Sequence, residues 1–196
     1  MKNPFLLLTL LGLLTAPVLR AQQPTGKEHA AALPVSSASK LITYTSVVEV
    51  PGASRDELFT RASQWVSTAY KSSVSAPQTI DKEGGKIIIQ GFTPAKLKAL
   101  GINSTAGNVT HTLSLYVKDG RYKYEFTNFY HEGIALPQGG VSTGGALENA
   151  KPACGPMMML GFHWRSIKEH TDEQVRELIS QLTTTMASKA KDPTDF

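Results

Sequence analysis

Cysteine is almost missing from this chain: Cys154 is the only one among 196 residues. A lone thiol closes no internal disulfide, so the core has to hold the fold unaided. Tight metal-ligand spacing is missing too. The five histidines stand apart, and no pair has the C-x-x-C or H-E-x-x-H spacing that sets two ligands on one side of an ion. Lys and Arg occur singly or in pairs, without the stripe or cluster that neutralises phosphates, which speaks against nucleic acid as a partner. Isolated acids such as Asp119, Glu125 and Glu148 cannot be assigned to one cleft as a hydrolase pair. One apolar run stands out, Phe5 to Leu14, broken only by Thr9 and Gly12. It falls short of the about 20 residues needed to span a bilayer.

That run follows Lys2 and precedes Ala16-Pro17, the pattern of a secretory signal peptide over residues 1–21 with cleavage before Gln22. No Cys lies near the cut, so a lipid anchor is not expected, and the product is read as exported to the periplasm or the exterior. Cleavage removes Lys2 and Arg20 from 20 bases, leaving 18 against 16 acids and a net charge of +2 instead of +4. Residues 22–39, rich in Ala, Ser, Pro and Gln, read as a flexible leader. About 150 residues remain, enough for one core, and a single domain is expected over 40–190.

The most informative stretch is His111–His131, two alternating runs around Asp119-Gly120. With those two as the loop, Val117 faces Tyr122, Leu115 faces Tyr124, and Leu113 faces Phe126, all on a core side. Thr112, Ser114, Tyr116, Lys123, Glu125 and Thr127 then share the wet side. The same count pairs His111 with Asn128 and places Phe129 on the wet side. Upstream, Leu41–Val50 is β-branched and reads as a strand. Ser54 and Glu57 have capping-box spacing, and Leu58, Ala62, Trp65 and Ala69 predict a helix over 54–71. Gln78–Lys82 and Lys86–Phe92 flank a Gly84-Gly85 turn. A short helix is expected over 94–100 and a polar loop over 101–107. Residues 133–162 carry two Gly-Gly pairs and three prolines without a period, hence a long irregular loop. Thr171 and Gln174 repeat the capping-box spacing before the stripe Val175, Leu178, Ile179, Leu182 and Met186, predicting a helix over 171–189. The order β-α-β-β-β-β-α predicts an α+β, two-layer domain: a curved antiparallel sheet of about five strands with two helices on one face.

The phrases VEVPGASRDEL (48–58) and VKDGRYKY (117–124), the GGKIIIQG turn (84–91) and a Trp164-x-x-Ile167 run resemble a bacterial family. It is a domain-of-unknown-function family with a TATA-binding-protein-like fold. The resemblance covers roughly residues 40–188 and implies exported bacterial proteins of unestablished activity; the label describes fold geometry and no affinity for DNA.

Candidate contact residues follow from the wet face and the long loop. Thr112, Tyr116 and Phe129 offer hydroxyl and stacking surface for a small ligand, although scattered exposed aromatics are ordinary. His131 and His163 are the histidines, with Cys154, around which a site assembled only in three dimensions would form. Met157 and Met158 belong to an apolar patch that suits either partner docking or packing against the domain. GGVSTGG (139–145) lacks the Lys-Ser/Thr pair of a phosphate loop and reads as flexible. No cofactor and no metal is expected. The leading reading is a non-catalytic exported module that binds an envelope protein or a small ligand. The alternatives are a hydrolase-like enzyme and a purely structural envelope component.

Overall fold

The structure is a computed structural model that describes residues 33–71, 74–99, 102–137 and 139–188. The signal segment expected over 1–21 and leader residues 22–32 lie outside the described residues. The remainder of the leader is ordered: Val35 pairs with Ile42, and Thr43 N–H donates to Pro34 O at 2.8 Å.

β1 (Tyr44–Glu49) ends at Pro51-Gly52, and α1 (Arg55–Ala69) starts where the capping box placed it. Ser54 Oγ accepts from Glu57 N–H at 3.3 Å while Glu57 Oε2 accepts from Ser54 N–H at 2.8 Å. These bonds satisfy donors the first helical turn would otherwise leave unpaired, a contribution of about 1 kcal/mol. Leu58, Ala62 and Trp65 turn inward. Then come β2 (Val74–Asp81), β3 (Lys86–Ala99), β4 (Ile102–Lys118), β5 (Arg121–Glu132), the two-residue β6 (Gly145–Ala146) and α2 (Gly161–Ala187). The antiparallel sheet runs β1-β5-β4-β3-β2, with β6 added to β5. Both helices cover one face, giving the two-layer α+β arrangement predicted from the pattern.

The β4–β5 register agrees with the count from Asp119-Gly120 as far as Leu113 opposite Phe126. Leu113, Leu115, Val117, Tyr122 and Phe126 are buried, and Tyr124 is half-buried. The turn is also bolted to the start of α1. Asp119 Oδ1 accepts from Arg55 N–H at 2.8 Å, and Gly120 N–H donates to Ala53 O at 2.9 Å. A carboxylate there suits the positive end of the helix dipole.

Beyond Thr112 the register slips. Thr112 faces Thr127 but Thr110 faces Tyr130, so Asn128 and Phe129 together oppose His111. Asn128 takes the left-handed conformation (φ 57°), the signature of a β-bulge, and its Nδ2 donates to Thr112 Oγ1 at 3.2 Å. The inserted residue reverses which side chains point inward. Phe129 is therefore buried and not on the wet side, and the expected His111–Asn128 pair does not form.

Two further expectations give way. The helix over 94–100 and loop over 101–107 are instead a continuation of β3 and β4. Pro94 pairs with Asn108 beside a register shift, where its missing N–H is tolerated, while Ala95, Ala106 and Val109 fill the inner side. α2 begins ten residues before Thr171, so the long irregular loop expected over 133–162 stops short of its last two residues. Trp164, Ile167, Thr171 and Val175 make one buried stripe, and Thr171 Oγ1 donates to Ile167 O at 2.8 Å in mid-helix.

The Gly-rich stretch, expected to be flexible, is packed. Leu147 and Met159 are buried, Leu147 N–H donates to Phe129 O, and Cys154 N–H donates to Thr143 O. Gly144 lies so close to Trp164 that a Cβ there would run into the indole. The glycine is needed for close approach, not for mobility.

Candidate functional site

The face without helices carries the exposed chemistry. The ladders align one row across five strands: Val47, Lys123, Tyr116, Lys86 and Asp81. The next row towards the turn holds Glu49, Arg121 and Lys118. An open groove of 540 Å³ runs over this end of the sheet, lined by Val47, Tyr116, Lys118, Arg121, Lys123 and Glu125. Val47 is 57% exposed and Tyr116 38% exposed, so the floor is apolar and aromatic. Lys123 Nζ pairs with Glu125 Oε2 at 3.2 Å, and Lys86 Nζ lies 6.0 Å from the Tyr116 ring centroid. Among the described residues no carboxylate is ion-paired with Lys118 or Arg121. Three cations against one carboxylate give the groove a positive surplus around an aromatic floor. That arrangement attracts anions and stacks planar or apolar groups.

Of the residues singled out from sequence, Thr112 and Tyr116 share this face. Phe129 and His131 are on the other side, and Met157 and Met158 occupy the turn before α2, with Met157 fully exposed. His131 is fully buried between β5 and the loop. Its Nε2–H donates to Ala106 O at 2.7 Å and its Nδ1 accepts from Gly144 N–H at 2.8 Å, which fixes a neutral tautomer. Burial holds its pKa below the ordinary imidazole range. His111 is enclosed by Phe126, Phe129 and Tyr70, shares a 2.9 Å hydrogen bond with the Tyr70 hydroxyl, and is pushed down to about 4 by burial. The His163 ring centroid lies 4.1 Å from that of Phe162 at a tilt of 59°, and His170 pairs with Glu173 at 3.3 Å. Cys154 is half-buried and unpaired in a disulfide. Among the described residues no three His, Cys, Asp or Glu side chains are grouped to hold a metal ion. No helix among them is long and apolar enough to cross a membrane.

The groove residues absent from the sequence reading are Val47, Lys118 and Arg121. Lys118 and Arg121 flank the Asp119-Gly120 turn, so the hairpin register already put them side by side. Val47 had no such signal, because it arrives through pairing between β1 and β5, which are far apart in the chain.

A six-stranded antiparallel sheet backed by two helices on one face, with the other face open, defines a two-layer class. Residues 44–132 match the family model described as a domain of unknown function (DUF4468) with TBP-like fold. Over that span the chain is similar to this family. A TBP-like protein from Parabacteroides distasonis is similar in structure, with a TM-score of 0.53 at 14% identity, covering 77% of this chain and 97% of that one. A DUF4468 family protein from Bacteroides ovatus gives a TM-score of 0.53 at 12% identity, covering 81% and 94%. These likenesses establish the fold. No curated protein matches the chain.

Proposed function

We propose that this chain is an exported, non-catalytic binding module of the bacterial cell envelope whose open sheet face holds an anionic partner. The observation that carries the reading is the groove around Tyr116, where Lys118, Arg121 and Lys123 outnumber Glu125 over an uncovered floor. Export rests on the signal-peptide pattern of residues 1–21. The non-catalytic part rests on the histidines: His131 has both ring nitrogens bonded to backbone, and His111 is enclosed by aromatic rings. Neither is placed to move a proton to or from a bound molecule.

The test uses isotope-labelled mature chain titrated with polygalacturonate, an anionic glycan without backbone amides. Amide shifts are expected at Val47, Tyr116 and Lys123. Lys118→Glu with Lys123→Glu should weaken binding about tenfold or more, and Tyr116→Ala should weaken it while leaving the thermal midpoint in place. Shifts confined to the helical layer, or no binding at all, would overturn the reading. N-terminal sequencing of the protein from the envelope fraction should begin at Gln22; a chain recovered in the cytoplasm with Met1 intact would remove the export claim.

A further inference from the structure

The two outer edges of the sheet are unlike each other. β2 carries Pro77, which has no N–H, and its pairing with β3 is irregular between Ser75 and Thr79. Both features protect an edge from accepting another strand. β1 has neither. Its register with β5 is unbroken from Tyr44 to Glu49, it contains no Pro and no Lys, and Thr45, Ser46, Val47 and Glu49 are exposed.

The direction of its backbone groups follows from the ladder. Val50 N–H donates to Gly120 O at 2.7 Å, in register with the β1–β5 pairs. In an antiparallel ladder alternate residues bond to the same neighbour, so Tyr44, Ser46 and Val48 serve β5 and the backbone of Thr45, Val47 and Glu49 points away. Thr43 confirms the phase, since its N–H points away as well and is taken by Pro34. Among the described residues, the edge is free just past that contact.

A recess lies on each side of this edge. On the outer side is the cationic groove that begins at Val47. On the inner side is a 460 Å³ hollow lined by Pro34, Tyr44, Tyr124, Arg176 and Ile179, where Arg176 is already paired with Asp172 at 2.9 Å. Backbone groups for affinity with recesses for alternate side chains are the elements of strand addition. We propose that β1 accepts an extended peptide as an additional antiparallel strand, with acidic side chains towards the outer groove and apolar ones towards the hollow. This rests on the proposed anion-binding face and names its partner class. Charge favours such a peptide over a second copy of the chain, because two copies joined at β1 would set their cationic grooves side by side.

The probe is a short synthetic peptide of alternating Asp and Val, with its Lys/Val counterpart and a version N-methylated on alternate amides. The Asp/Val peptide should bind and slow amide exchange at Thr45, Val47 and Glu49, and the Lys/Val peptide should not. Thr45→Pro, outside the groove's lining, deletes one outward N–H without removing a β1–β5 backbone hydrogen bond and should weaken the peptide about tenfold or more, with polygalacturonate binding unchanged. N-methylation should weaken it similarly, a result independent of whether the proline variant folds. Affinity unchanged by both would overturn the proposal. So would failure of the Asp/Val peptide while polygalacturonate still binds, which leaves the open-face reading standing. Concentration-dependent dimers abolished by Thr45→Pro would assign the edge to a second copy, and failure of the unaltered chain to bind either polygalacturonate or the peptide would bring down the face itself.

Discussion

The β4–β5 ribbon behaves as two different objects on either side of Asn128. Towards the turn, residues 112–127 form a regular ladder whose inner side is aliphatic and aromatic and whose outer side is polar. Past the bulge, the inner side carries His111, Phe129 and His131, and the partners come from distant segments: Tyr70 at the end of α1, Gly144 in the long loop, and Trp164 on α2. The first half is held by its own alternation and one good turn. The second exists only because the loop and α2 close over it. Local pattern therefore specifies one half, and tertiary packing the other.

Removing the closure should separate the halves most sharply. Trp164 is buried, packs edge-on against His131, and donates Nε1–H to Asn149 O at 2.9 Å. Trp164→Ala should cost about 3–5 kcal/mol by denaturant unfolding. Amide exchange should rise first at Phe129–Glu132 and Gly145–Ala146, with Leu113–Val117 still protected. Equal loss of protection in both halves would show that they are one cooperative unit.

Acid gives the next largest effect, again on the second half. His111 titrates near 4 in the fold against about 6.5 when unfolded, so between those values the unfolded chain binds the proton first. Stability is then full above about pH 6.5 and falls as pH drops towards 4, by about 3 kcal/mol from this residue. Burial shifts His131 in the same direction. The double variant His111→Phe with Tyr70→Phe should flatten the urea-midpoint profile over this range; an unchanged slope would exclude His111 as its source.

The hinge between the halves gives the smallest change. Asn128→Val forces a β-branched residue into a left-handed backbone and should cost about 1–2 kcal/mol, whereas Asn128→Gly should lie within a few tenths. Thermal melts of the pair decide it, and similar midpoints would mean that the bulge relaxes.

This division also explains which parts of the fold are legible in the sequence. The pairs from Val117–Tyr122 to Leu113–Phe126 were legible because Asp119-Gly120 sets the count and a slip would expose every core residue. Asn128 gave no such sign: an Asn in a strand announces a bulge only when its φ is known. Thr171 misled for a related reason, since a threonine bonding back to a carbonyl in mid-helix has the same spacing as one capping a helix start. Pro94 read as a break because its bulge was not visible. Alternation alone put Thr112 and Tyr116 on the open face, though only Tyr116 lines the groove. Phe129 and His131 were lost to the bulge, and the groove's far wall at Val47 depended on strand order, which alternation does not encode.

The fastening of Asp119 and Gly120 to Arg55 and Ala53 has a kinetic corollary. The tip of a long ribbon is ordinarily where fraying begins, yet here it shares hydrogen bonds with the first turn of a helix that enters the core. Tip and helix entrance must detach together, so the cationic end of the sheet is held in shape, and the binding role proposed for it would leave little ordering to be done at the encounter.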